Sequence, residues 1–137
     1  MGNVWRGGIP LVVARTITQL HTDNMQRLVV GGGAADAAKL THASSLRTLT
    51  LSLTSTWKSI STVSSITQNA QLAFASRVES YILHIPSDGS TATLSANSTL
   101  GLFRGLTTFT QLWYTYGHTI YTISAPISIF DKPAYAR

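Results

Sequence analysis

The chain has 137 residues, a length typical of one domain with its own hydrophobic core. Charged residues make up only 11% of it, while 19 threonines and 16 serines supply hydroxyl groups in their place. The absence of cysteine excludes disulfide bonds, thiolate metal sites and a cysteine nucleophile. Ten basic and five acidic residues give a net charge of +5, so a polyanion is an expected partner.

The N-terminal third is predicted to be an arm, a strand and a short helix. Residues 1–8 contain three glycines and show no periodicity, which indicates an extended arm. Apolar residues alternate between residues 9 and 20, which predicts a first strand. Asp23 can cap a short helix that ends before the glycines 31–33, and a further helical turn is predicted over residues 34–40.

The remainder of the chain is predicted to be strands. Leu49, Leu51 and Leu53 alternate with hydroxyl residues, which indicates a strand with one face toward the core. Apolar residues recur every three positions from Trp57 to Ile66, which indicates a loop or an irregular edge strand. The alternating pattern predicts further strands over residues 72–78, 81–85, 91–96, 107–116 and 118–130.

Seven or eight short strands with turn signals about every ten residues are typical of an antiparallel β-sandwich or barrel. The predicted fold class is therefore all-β, with one short helix in the N-terminal third. The predicted domains are an extended arm, 1–8, and a single β-sandwich domain, 9–137. The core is expected at the clearest alternating positions: Leu49, Leu51, Leu53, Leu72, Phe74, Leu83 and Ile123.

Groups suited to catalysis or metal binding are few and widely spaced. His21 and Asp23 are close in sequence, but a turn-capping aspartate is the favoured interpretation. His42, His84 and His118 have no acidic or histidine partner at metal-ligand spacing. We therefore expect no catalytic residue, no metal site and no cofactor, and the chain is predicted not to be an enzyme.

An aromatic segment near the C-terminus offers a possible contact surface. Alternation places Phe109 and Trp113 on one side and Tyr114 and Tyr116 on the other. No basic residues are interleaved among them, which favours core or subunit contact over base stacking.

Two segments are similar to a known family. His42–Leu51, with the sequence HASSLRTLTL, resembles the early core strand of tymovirus-like coat proteins. Residues 112–133 resemble the last strand of jelly-roll coats followed by a proline-containing tail. The resemblance is to the capsid proteins of small icosahedral viruses, and it implies a jelly roll that self-assembles in many copies around nucleic acid.

The predicted function is thus that of a structural capsid protein, located in the virion and assembled in the host cytoplasm. Its expected partners are further copies of itself and nucleic acid, with RNA favoured, held by non-specific electrostatic contacts. No membrane and no small-molecule substrate are expected. Phosphate contacts are assigned to four basic residues in the N-terminal third, which could instead be solvated or paired with Asp23 and Asp36: Arg6, Arg15, Arg27 and Lys39.

A second interpretation stays open at this point. The chain could be a non-viral β-sandwich module that binds carbohydrate or forms pilus-like fibres. In that case Tyr114 and Tyr116 would face the ligand.

Overall fold

The computed structural model describes residues 8–22, 27–54 and 63–134, which form a mixed α/β structure. The helices are Ile9–His21 (α1), Ala34–Leu40 (α2), Ile66–Ala70 (α3) and Thr99–Gln111 (α4), and Phe74–Ser76 form a 3-10 turn. The strands are Leu49–Leu53 (β1), Tyr81–Ile85 (β2), Ala92–Ala96 (β3), Trp113–Tyr116 (β4), Thr119–Thr122 (β5) and Ile127–Asp131 (β6).

Four of these strands form one mixed sheet in the order β1-β3-β2-β6. Strands β1 and β3 run parallel, whereas β2 pairs antiparallel with both β3 and β6. Strands β4 and β5 form a separate antiparallel hairpin around Gly117 and His118. Gly117 has a φ of 61°, the left-handed conformation that such a tight two-residue turn requires.

One face of the four-stranded sheet is covered by helices. Tyr81, Leu83 and Ile85 alternate along β2 and are at most 3% exposed, and Leu94 of β3 is fully buried beside them. Helix α4 packs on this face, and α1 contacts α4 in turn. The opposite face carries hydroxyl residues together with Ile82, which is 51% exposed. The core therefore lies between the sheet and the two long helices.

Two glycines allow α4 to approach the sheet closely. A Cβ atom at Gly101 would lie 2.5 Å from the carbonyl oxygen of Ser80, and one at Gly105 would lie 2.3 Å from a methyl group of Leu94. Both distances are shorter than real Cβ contacts. Ser98 begins the helix, because its Oγ accepts a hydrogen bond from the N–H of Gly101 at 2.9 Å.

The prediction of an all-β chain is wrong, and α1 shows why. Its apolar residues fit strand alternation, but Ile9, Val12, Thr16 and Leu20 are also spaced by three or four residues. In the structure this second set faces the core, while Leu11 is 77% exposed. Several β-branched residues favoured the strand interpretation, and packing against α4 overrides that weak preference.

Two other predicted strands are also helical or turn-like. Residues 107–111 belong to α4, and only residues 113–116 of that segment form a strand. The segment 72–78 contains the 3-10 turn instead of a strand, and Phe74 is 58% exposed. Apolar and polar side chains alternate in this segment, but it is not part of a sheet, because no strand among the described residues pairs with it.

The strand prediction is confirmed where alternation and turn chemistry agree. Residues 49–53, 81–85 and 92–96 are strands, with a turn between the last two. The helical turn at residues 34–40 is confirmed as α2. Residues 27–29 are not helical, and residues 23–26 of the predicted short helix lie outside the described residues.

The predicted core is confirmed only in part. Leu83 is fully buried, and the three leucines of β1 are partly buried against the core. Leu72 is 44% exposed and Ile123 is 40% exposed, so neither belongs to it. A jelly roll needs eight strands, whereas the described ranges contain six. Residues 1–7 of the predicted arm lie outside those ranges, and the single-domain boundary stays a prediction.

A second, more polar region surrounds the β4–β5 hairpin. The hydroxyl of Tyr121 donates to Asp36 Oδ2 at 2.9 Å, which joins β5 to α2. The guanidinium of Arg27 lies 5.4 Å from the ring centre of Tyr114 and donates to the carbonyl of Thr110 at 3.2 Å. We call the hairpin together with residues 27–36 the hairpin cluster.

Candidate functional site

A cleft of about 800 Å³ opens between the chain segment that leads into β2 and the segment that follows β6. Tyr81 and Asp131 are paired residues at this end of the two strands. Residues 74–80 form one wall, residues 131–134 form the other, and Arg104 of α4 also lines the cleft. We call it the charged cleft. Its volume lies within the range of small-molecule binding sites, which makes it the leading candidate for a functional site.

An ion pair lies in the charged cleft. The Nε atom of Arg104 donates to Glu79 Oε2 at 2.8 Å. The side chain of Glu79 is 18% exposed and that of Arg104 is 50% exposed. Because only Nε is used, the two terminal amino groups of the guanidinium have no partner among the described residues. The pair presents donors and acceptors side by side.

An exposed aromatic ring, that of Phe74, also lines the charged cleft. The guanidinium carbon of Arg77 lies 4.3 Å from the ring centre of Phe74. Arg77 is itself held in place, because its Nε donates to the carbonyl of Leu72 at 2.9 Å. The ring is therefore supported from one side although more than half of the residue is in contact with solvent.

Tyr81 lies beneath this region, on the buried face of β2. Burial raises the pKa of its hydroxyl above the ordinary tyrosine value. A hydrogen bond with Thr108, whose Oγ1 is 2.6 Å away, opposes that effect, and the nearby carboxylate of Asp131 adds to it. The tyrosine is consequently a neutral hydrogen-bonding group at physiological pH.

A second concavity of about 450 Å³ lies between α1, β1 and the hairpin. It is mainly apolar, with Val13, Leu49, Leu106 and Trp113 among its lining residues. The Nε1 atom of Trp113 is buried and has no hydrogen-bond partner within the described ranges.

The structure separates the four basic residues assigned to phosphate contacts. Arg15 is exposed on α1, whereas Arg27 is half-buried against Tyr114. Lys39 lies on α2, where its Nζ is 3.9 Å from Asp36 Oδ1. Arg6 lies outside the described residues. Phosphate binding by these residues stays an untested prediction.

The remaining acidic and histidine side chains have local roles. Asp88 accepts two hydrogen bonds from Ser90 in the turn between β2 and β3, which lower the pKa of its carboxyl group. His84 Nδ1 lies 2.9 Å from Ser128 Oγ on the open face of the sheet. Within the described part of the chain, no three histidine, aspartate or glutamate side chains form a metal-binding group.

Sequence reasoning did not single out Glu79 and Arg104 as partners. They are 25 residues apart, one before a strand and one on a helix, so no local spacing joins them. The one available signal was composition, because Glu79 is the only glutamate in the chain. A lone acidic residue beside a core strand would have justified a search for a basic partner.

Comparison with known proteins gives two matches. A family model described as "beta-acetyl hexosaminidase like" matches residues 8–112, which extend from the start of α1 to the end of α4. A stretch of 58 residues, 42% of the chain, is 43% identical to a protein named β-hexosaminidase from Arthroderma benhamiae. That stretch is 9% of the Arthroderma protein, so the chain spans a small share of its curated relative.

These matches correct the functional predictions. The resemblance to viral coat proteins is wrong, because it rested on short degenerate segments, whereas the family match extends continuously over α1, three of the four strands of the main sheet and α4. The predictions of a capsid function, a packaged RNA, a self-assembling shell and a virion location depended on that resemblance and are wrong as well. The binding or fibre module is also wrong as a function, although its carbohydrate element agrees with the names of the matches.

Two further predictions change with the family. The chain was predicted not to be an enzyme and to have no small-molecule substrate, and both statements are wrong for a family of glycosidase-like proteins. In the described ranges, no helix is long and apolar enough to cross a membrane. With its family model matching 105 of 137 residues, the chain belongs to the β-acetyl hexosaminidase-like family.

Proposed function

We propose that this chain is a domain of a glycoside hydrolase of the β-hexosaminidase kind, and that it supports the part of the enzyme where the glycosidic bond is cleaved. The observation that carries the proposal is the extent of the family match, which covers both long helices and three of the four strands of the main sheet. The matched residues include most of the side chains that pack together in the core. The relative is far longer than the matching stretch, which leaves ample chain for a separate catalytic domain.

The positions of the carboxylates support this division of roles. Most glycoside hydrolases use two carboxylic acids on either side of the scissile bond, one protonated and one ionised. Within the described residues, Asp36 accepts from Tyr121, Glu79 accepts from Arg104, and Asp88 accepts from Ser90. Asp36 and Glu79 each join two segments of the chain, and Asp88 stabilises the turn between β2 and β3. All three carboxylates therefore have structural hydrogen bonds.

The core of the domain also suits a supporting role. Helix α4 is held at close distance by Gly101 and Gly105, and its buried side includes Leu102, Leu106 and Phe109. Dense packing of this kind resists deformation, so a domain docked on it is held in one orientation. A supporting domain of this sort contributes to activity through stability and positioning.

A chimaeric enzyme tests the proposal. The region of the Arthroderma β-hexosaminidase that matches this family is replaced by the present chain, and hydrolysis of a chromogenic β-N-acetylhexosaminide is measured. We expect an active enzyme whose KM is close to that of the parent. A folded chimaera without activity would contradict the proposal.

A second candidate places the reaction in the chain itself, because Glu79 and Asp131 line the same cleft. This candidate predicts turnover by the 137-residue chain alone, abolished by Glu79→Gln and by Asp131→Asn. The supporting role predicts that neither substitution changes the rate of the chimaera by more than about twofold. Measuring both proteins with both substitutions distinguishes the two candidates.

A further inference from the structure

We infer that the charged cleft is a subsite for a neutral β-linked oligosaccharide. This inference rests on the proposed function, since it assumes that the enzyme acts on a carbohydrate chain. The cleft, the supported phenylalanine and the ion pair carry it together. No single one of them would suffice.

Phe74 provides the apolar half of the site. Sugars present faces of C–H groups that pack on aromatic rings, and a stacking ring must be reachable by the ligand and held still. Phe74 is 58% exposed and borders the cleft, while Arg77 stacks on it at 4.3 Å. Because Arg77 is tethered to the carbonyl of Leu72, little side-chain freedom remains to be lost on binding.

The ion pair provides the polar half. A pair of neighbouring sugar hydroxyls binds best where donors and acceptors lie next to each other, since each hydroxyl both donates and accepts. Arg104 offers the N–H groups that Glu79 does not use, and the carboxylate of Glu79 offers its second oxygen. Their partial burial strengthens such bonds relative to fully solvated groups.

The opposite wall supplies further polar contacts of the same kind. Asp131 and Lys132 line it, and Ser80 belongs to the first wall. The lining includes three basic residues, Arg77, Arg104 and Lys132, and two acidic ones, a formal net charge of +1, so the cleft is close to electrically balanced. That balance favours a neutral polyhydroxylated ligand over a polyanion.

The volume agrees with this class of ligand. About 800 Å³ accommodates a short oligosaccharide more readily than a single sugar ring. The two segments that carry most of its lining residues, 74–80 and 131–134, adjoin or include the paired strand residues Tyr81 and Asp131.

The test is a titration of the full 137-residue chain with an N-acetylglucosamine tetramer, followed by NMR and calorimetry. We expect saturable binding, with amide shifts concentrated in residues 74–80 and 131–134 and at Arg104. Phe74→Ala should weaken the affinity about ten-fold, the loss of one well-packed aromatic contact. Glu79→Gln should weaken it as well.

Phe130 offers a matched control. It is 70% exposed, lies on the open face of the sheet beside Ile82, and is not one of the residues that line the charged cleft. Phe130→Ala removes the same side chain and should leave the affinity unchanged. Thermal unfolding of each variant verifies that the fold is retained. Arg104→Lys keeps the positive charge but removes the planar guanidinium, and it should weaken the affinity for the tetramer if the guanidinium N–H groups bind the sugar hydroxyls.

Three results would overturn the inference. They are a full chain that shows no saturable binding, shifts that map away from the cleft, or an equal loss of affinity in Phe74→Ala and Phe130→Ala. The chimaera is assayed independently of this titration. An active chimaera with no sugar binding in the cleft rejects the subsite alone, whereas an inactive chimaera rejects the proposed function.

Discussion

The α4 helix with strands β2 and β3 and the hairpin cluster are stabilised in different ways. In the first region the side chains Leu83, Leu94 and Leu102 are fully buried, and contact is almost wholly apolar. In the hairpin cluster, Tyr121 bonds to Asp36, and the hydroxyls of Thr115 and Thr122 are buried without partners among the described residues. Apolar packing determines the stability of the first region, whereas a few polar contacts orient the second.

The charged cleft borders the first region, because its walls adjoin Tyr81 of β2, which is only 3% exposed, and include Asp131 of β6, the strand residue that pairs with Tyr81. A binding site is more selective when the elements that position it do not move. The hairpin cluster, by contrast, depends on long polar side chains and should respond to pH.

The largest expected effect comes from the core of the first region. Leu83→Ala removes a fully buried side chain and should lower the free energy of unfolding by about 2–5 kcal/mol. Leu11→Ala is the matched control, because Leu11 is 77% exposed and its loss should change stability by less than about 0.5 kcal/mol. Urea denaturation measures both. Equal losses of stability in the two variants would contradict the burial of Leu83 in the sheet and the exposure of Leu11 on α1.

The next effect tests the close approach of α4. Gly105→Ala should raise helix propensity by about 1 kcal/mol, but the added methyl would meet Leu94 at 2.3 Å. Overpacking of a dense core costs about 1–3 kcal/mol, so we expect a net loss of stability. The double variant Gly105→Ala with Leu94→Val should recover part of it. A single variant more stable than the parent would contradict the packing.

A smaller, pH-dependent effect is expected in the hairpin cluster. Burial first, and then the hydrogen bond to Asp36, raise the pKa of Tyr121. Its contribution to stability is therefore complete below the ordinary tyrosine pKa of about 10, and it is lost as the pH rises through the higher folded-state value.

Tyr121→Phe should accordingly lower the urea midpoint at pH 7, and the difference from the parent should shrink at strongly alkaline pH. Tyr116→Phe is the control, since Tyr116 is 38% exposed and should show no such difference. If the difference in urea midpoint between Tyr121→Phe and the parent grew with pH, the hydroxyl of Tyr121 would not be donating a hydrogen bond to Asp36.

The smallest effect concerns the turn that joins β2 to β3. The hydroxyl of Ser90 is the main cause of the lowered pKa of Asp88, and the N–H of Ser90 adds to it. Ser90→Ala should move the pKa of Asp88 upward toward its ordinary value, as measured by NMR titration. Because the folded-state pKa is lowered, the bond stabilises above the unfolded value and is lost on acidification. An unchanged titration would place Asp88 outside this turn.

Alternation of apolar and hydroxyl residues was sufficient to predict β2 and β3. Their period of two is local, and the turn residues between them agree with it. The same alternation misassigned α1, because its residues satisfy both strand and helical spacing, and only contact with α4 decides between them. Residues 107–111 were misassigned for the same reason. The residues within 107–111 do not determine which part of the fold this segment packs against, and that contact decides whether it is a strand or a helix.

The sequence by itself determined that the chain folds around an apolar core, that hydroxyl groups replace charge on its surface, and where its most regular strands run. The tertiary structure alone decided that Glu79 meets Arg104 and that Phe74 stands beside them. The physical reason is distance along the chain. Local patterns report on backbone conformation, whereas a site assembled from residues 25 or more positions apart exists only after a strand and a helix have packed together.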